Sequence, residues 1–211
     1  IKPIIGCEVY VTLGSRLEKP EGSKRDRLKH LILLAETQEG YENIVKIVSK
    51  ASTEGYFYKP RADHDLLRTY NKGIIVLSAC IQGEIPQYII QGDMEKARQS
   101  LAWYLDTYGK DNFFLELQNH GIPEELQAQD ALIELAKEYQ VGLVCSNDFH
   151  YVNREDAEAQ DIKVCISTGR KQSDIDRLRF PNDSFYMKSG DEMAELFGHI
   201  PGAMENTLAI A

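Results

Sequence analysis

The sequence predicts an α/β fold in which a parallel sheet or barrel carries helices against it and ends in a short helical tail. Two observations lead there. Short apolar runs rich in Val, Ile and Phe recur along the chain, and they alternate with longer segments whose apolar residues return every three or four positions. Strands and helices alternating at these lengths make βα units. At 211 residues, 43% hydrophobic and 27% charged, the chain has ample material for one large domain, or for one domain and the start of another.

The first strand is read at residues 4–12, inside "IKPIIGCEVYV", and the polar stretch 14–27 after it reads as a mobile, charged loop. A second strand is read at 28–36. A helix at 39–53 follows, with Ile44, Ile47 and Val48 on one face. Residues 73–77 give a third strand and 93–108 a second helix. Residues 112–117 give a fourth strand. The third helix, 123–140, starts on Pro123, whose missing N–H costs nothing in a first turn, and repeats its apolar positions at Leu126, Ala131, Leu132 and Leu135. The fifth strand spans 142–146. A loop at 167–184 then leads to two tail helices at 190–197 and 201–211.

Composition removes several functional classes. The longest apolar runs, "LILLA" and "GIIVLSAC", are far too short to span a bilayer, and no signal peptide or lipidation motif is present. A formal charge of −9 argues against a basic surface that wraps nucleic acid, while leaving room for an acidic cleft that cations would neutralise. Cys7, Cys80, Cys145 and Cys165 are dispersed with no CxxC pair, so a reducing, cytoplasmic setting is expected. No P-loop, GxGxxG or Ser-His-Asp order appears. The chain opens on a strand edge without Met and closes in mid-helix at "NTLAIA", which suggests a piece of something longer.

In α/β sheets functional groups gather where strands end. The polar residues that interrupt or close the predicted strands are Glu8, His30, Cys80, Glu116, Asp148 and His150. Imidazole, carboxylate and thiolate together suit zinc, or manganese and iron where oxygen dominates. In an extended segment Asp148 and His150 would face the same way. Each also has a plain reading. Asn147 and Asp148 can cap a turn beside a surface His150, Glu8 can belong to an exposed alternation, and Cys80 can be a small buried hydrophobe. Glu116 and His120 can form a polar pair at a loop, with His64 in a charged turn and His199 on the surface. Spacing alone favours the plain reading of the D-x-H.

Taken in order, "IKPIIGCEVYV", "HLILLAETQEGYENIVKIVSKA", "GYFYKPR", "GIIVLSACIQGEIP", "NFFLELQNHG", "SNDFHYV" and "FYMKSGDEMAELF" with "IPGAMENTLAIA" resemble one family. It is the PHP (polymerase and histidinol phosphatase) domain of bacterial DNA polymerase III alpha subunits, and the likeness runs from Ile1 to Ala211. The resemblance implies a distorted (β/α)7, TIM-like barrel with up to three divalent metal ions (Zn, Mn or Mg) at its strand ends. Glu8, His30, Cys80, Asp148 and His150 fall on the family's ligand positions, with Glu116 and His120 behind them. The H-x-H pair and further ligands that open family members are absent from this chain, so the implied barrel lacks its first βα units and the site is incomplete. The division implied is a partial PHP domain at 1–184 and a helical connection towards a polymerase palm at 185–211. The implied setting is a cytoplasmic replicative polymerase that works on DNA with a proofreading subunit and a sliding clamp, away from any membrane. There the domain would be a 3′–5′ exonuclease or a structural module, and this chain alone would have little activity. The alternative is a separate phosphoesterase for a small phosphate monoester.

Overall fold

The computed structural model describes residues 2–19 and 28–211. Five strands lie in one sheet in the order of the chain: β1 (Gly6–Val11), β2 (Lys29–Ala35), β3 (Ile74–Leu77), β4 (Phe113–Leu117) and β5 (Gly142–Cys145). All five lie where the apolar runs place them. Their directions correct the expectation of a parallel sheet: β1 with β2 and β2 with β3 are antiparallel, and only β3, β4 and β5 run parallel.

The cause lies in where the connections return. After β2 the chain enters α1 (Gln38–Thr53), whose N-cap Thr37 accepts a bond from the Gly40 amide at 3.1 Å. It then comes back through α2 (His64–Thr69) to Gly73, whose carbonyl accepts from Glu36 N at 3.0 Å. The connection therefore re-enters the sheet at the end it left, which makes β3 antiparallel to β2. Gly40 and Gly73 make this possible, because a Cβ on Gly40 would lie 1.6 Å from the Gly73 oxygen. Between β3 and β5 the connections cross the sheet, through α3 (Glu84–Ile90) and α4 (Met94–Tyr108), then through α5 (Pro123–Tyr139), and these strands are parallel.

The alternation within each strand sorts two faces. Val9, Val11, Leu31, Leu33, Val76, Phe113, Leu115, Leu117, Leu143 and Cys145 enter the main core with the buried faces of α1, α4 and α5. Leu77, Phe114 and Val144 form a smaller cluster on the opposite face with half-buried Ile32, Leu34 and Ile75, where Ile210 of α8 (Glu205–Ile210) joins them. The segment after 184 belongs to the same packing. Phe197, from α7 (Gly190–Phe197), and Ile200 and Ala203 beyond it are in the main core, and Cys145 N donates to Ala203 O at 3.0 Å.

Three helices go beyond the periodic reading. α2 has only six residues, and α3 carries Pro86 in its first turn, where the lost N–H has no partner to lose. α6 (Ala157–Thr168) exposes Ile162 and Ile166 while burying Val164 and Cys165, which blurs its apolar stripe. Over its described part, residues 14–19, the stretch 14–27 is a largely exposed loop, as expected, tied down at one point. Arg16 is held there by Asp63 at 3.1 Å and Glu54 at 2.7 Å, and buried Arg61 donates to Arg16 O and Glu18 O. The rest of that stretch, 20–27, lies outside the described residues. No described helix is long and apolar enough to cross a membrane.

Candidate metal centre

The antiparallel placement of β2 has a chemical consequence. It brings the first residues of β2 to the edge where β1, β3, β4 and β5 end, so His30 bridges to Gly83 just past β3. Glu8 and His30 lie on the same face of β1 and β2, since Glu8 stands opposite Ile32 and Tyr10 opposite His30. The Glu8 carboxylate reaches His30 Nδ1 at 2.6 Å, and Cys80 Sγ faces that same nitrogen at 3.6 Å. Tyr10 packs edge-on against the His30 ring.

Asp148 and His150 come together as well, at 3.5 Å, by a route that the spacing does not predict. Asp148 is not extended: its φ of 37° is left-handed, and a turn rather than strand pleating brings the two side chains together. Ala79, next to Cys80, is also left-handed at φ 63°. Thus both turns that carry candidate donors hold a non-glycine residue in a costly conformation, as functional turns often do. The bond to His150 holds the Asp148 carboxyl below the usual aspartate range against the effect of burial, helped by the charges of His120 and His30.

The centre is acidic and partly desolvated. Burial pushes the Cys80 thiol up to about 12, and the Asp148, Glu8 and Glu116 carboxylates add to it. Glu116 is buried; desolvation raises its carboxyl even though Ser146 and Gln118 donate to it. The expected Glu116–His120 pair is corrected. His120, 2% exposed, instead sits between Glu125 at 2.7 Å and the Asn147 carbonyl at 2.7 Å, stacked on Phe185. Its ring thereby braces the backbone directly ahead of Asp148.

Residue type fits a divalent cation at this edge: imidazole nitrogen, carboxylate oxygen and sulfur converge, and a cation would lower the cost of ionising Cys80. Among the described residues, however, no group of three or more His, Cys, Asp or Glu side chains is arranged as a complete metal-holding set. His30 Nδ1 is turned to the Glu8 carboxylate.

His64 is also corrected, from a surface turn to the start of α2. It stacks on Trp103 at 3.9 Å and lies 2.9 Å from buried Glu84, which also accepts from Ser100 at 2.7 Å and Tyr104 at 3.0 Å. Sequence reasoning passes over Glu84. The signal available is an acidic residue straight after Gly83, where a carboxylate suits the first turn of α3. His199 is exposed, as expected.

The chain belongs to the PHP domain family: the PHP domain model matches residues 1–120, more than half of it. Along its whole length it is similar to "DNA polymerase III subunit alpha" from three bacteria. The identity is 46% in Borreliella burgdorferi, 44% in Treponema pallidum and 41% in Thermus aquaticus, each match covering all of this chain. The chain spans 18% of the length of each of these relatives.

Proposed function

We propose that this chain is the PHP part of a replicative DNA polymerase alpha subunit, and that the edge carrying Glu8, His30, Cys80, Asp148 and His150 is a divalent-metal centre. The similarity over all 211 residues to polymerase III alpha subunits supports the first half. The convergence of Glu8 and Cys80 on His30 Nδ1 carries the second. The sheet is read as an arc of a distorted (β/α)7 barrel. Residues 185–211 are read as the connection towards a palm domain, with Phe197, Ile200 and Ala203 sharing the main core with the sheet.

In this reading Glu8 and Asp148 supply oxygen, His30 and His150 nitrogen, and Cys80 sulfur, while His120 and Glu116 support the turns behind them. Bound Zn, Mn or Mg would provide hydroxide near neutral pH and charge to offset a scissile phosphate. The chemistry proposed is phosphodiester hydrolysis, a 3′–5′ exonuclease step in a cytoplasmic replicase that works with a proofreading subunit and a sliding clamp. DNA synthesis would belong to other parts of the polymerase, and this chain alone is expected to show no polymerase and little nuclease activity. A separate phosphoesterase for small monoesters is the second reading; whole-length similarity to polymerase subunits favours the first.

Metal content tests the centre. After equilibration with Zn²⁺ or Mn²⁺ and dialysis, mass spectrometry should find metal in the wild-type chain. His30→Ala and the double change Asp148→Ala with His150→Ala should lose most of it. A metal-free wild type, or equal content in all forms, would leave the domain a structural module.

A further inference from the structure

Beside the D-x-H turn lies a cavity that nothing in the metal reading uses. The segment 169–184 folds back on α6, where Arg177 Nη2 donates to Asp161 at 2.7 Å and Arg179 donates to Asp174 O at 2.9 Å. The half-open space is ≈ 380 Å³ and is bounded by Tyr151, Phe180, Asn182, α6 and the two arginines. That volume lies within the range of small-molecule sites. Its wall is shared with the candidate centre, because the Phe180 ring lies 4.7 Å from the His150 ring and 4.7 Å from Phe185.

The lining decides what enters. Glu158, Asp161 and Asp183 oppose Arg177 and Arg179, so the pocket has no surplus positive charge for a phosphate. Both arginines are already engaged by Asp161 and by backbone carbonyls. Asn182 donates to His120 O at 2.7 Å and accepts from Ser184 N at 2.8 Å, so little of its bonding capacity is left to read an edge. What remains is two aromatic rings, Phe180 half-buried and Tyr151 almost wholly so, and the buried Tyr151 hydroxyl, which has no hydrogen-bond partner among the described residues. A flat, neutral heterocycle suits that lining, held by stacking, and the Tyr151 hydroxyl, able to donate or to accept, discriminates little among edges.

We propose that this cavity holds the base of the nucleotide whose phosphate would be held through a divalent cation at Asp148 and His150, with Phe180 as the stacking wall between base pocket and phosphate site. The inference rests on the phosphodiesterase reading and deepens it by assigning a nucleobase subsite.

Calorimetric titration of the Mn²⁺-equilibrated chain with dTMP, dAMP and 2-deoxyribose 5-phosphate tests it. Both nucleotides should bind about tenfold or more tighter than the base-free sugar phosphate, the scale of one base–aromatic stack. They should lie within a few-fold of each other. Phe180→Ala should erase the advantage while leaving sugar phosphate binding intact, which shows that His150 has not moved, and Phe180→Tyr should restore it. Equal affinity for dTMP and the sugar phosphate, both lost with Asp148→Ala, would overturn the base pocket and keep the phosphate site. An advantage that survives Phe180→Ala would also overturn the proposal. No binding of any of the three would overturn the proposal and the phosphodiesterase reading together.

Discussion

Replacing Glu84 should cost more stability than any exposed ion pair in the chain, and the loss can be worked through bond by bond. Glu84 is 4% exposed and accepts from His64, Ser100 and Tyr104, two of which, Ser100 and Tyr104, are buried. Glu84→Ala leaves those two hydroxyls facing a void, at about 1–3 kcal/mol for each buried donor without a partner. His64, 30% exposed at its side chain, can turn to water and adds less. The expected loss is ~3–5 kcal/mol. Glu84→Gln keeps the volume and one acceptor oxygen and should cost ~1–2 kcal/mol. Trp103, the chain's single tryptophan, stacks on His64, so its fluorescence in urea reports this corner directly.

The pH dependence carries a sign. Burial pushes the Glu84 carboxyl up, but the bonds from His64, Ser100 and Tyr104 together with the His64 charge outweigh it and leave it below the ordinary range. The unfolded chain therefore takes up this proton at a higher pH than the folded one. The contribution is complete above the ordinary glutamate value of about 4.3 and fades as pH falls through the lower folded value. The gap between wild type and Glu84→Gln should be widest at neutral pH and narrow below pH ~4. A loss under ~1 kcal/mol for Glu84→Ala, or a gap that widens in acid, would refute the reasoning. The cluster matters to the centre because Glu84 starts α3 directly after the turn in which Gly83 N donates to Cys80 O at 2.7 Å and Gln82 O accepts from His30 N at 3.0 Å.

Two further outcomes follow from the packing. Gly40→Ala gains ~1 kcal/mol of helix propensity, but its Cβ meets the Gly73 oxygen 1.6 Å away, a backbone atom that cannot turn aside. The clash should win, lowering the melting temperature by several degrees in a calorimetric scan; an unchanged or raised value would contradict the close approach of α1 to β3. Arg177→Ala should release the segment 169–184 from α6, so trypsin should cut at Arg170, Lys171 or Arg179 several-fold faster than in wild type, with Trp103 fluorescence unchanged.

The sequence by itself determined the five strands, the three long helices and the tail, because each is written in local periodicity. The apolar returns at Ile44, Ile47 and Val48, or the run at Phe113–Leu117, need no distant partner to be recognised. It also singled out Glu8, His30, Cys80, Asp148 and His150, by residue type at strand ends and by resemblance. Tertiary structure alone decided the direction of β2, since that depends on the connection returning to Gly73, and with it the meeting of His30 with Glu8 and Cys80. It separated His120 from Glu116 and gave it to Glu125 and Asn147, and it gathered His64, Glu84, Ser100 and Tyr104 from three helices. Apart from His120 with Glu125, such pairings join residues from 16 to 50 positions apart. Their energies come from desolvation and bond geometry that exist only once the helices have packed, so no local pattern announces them.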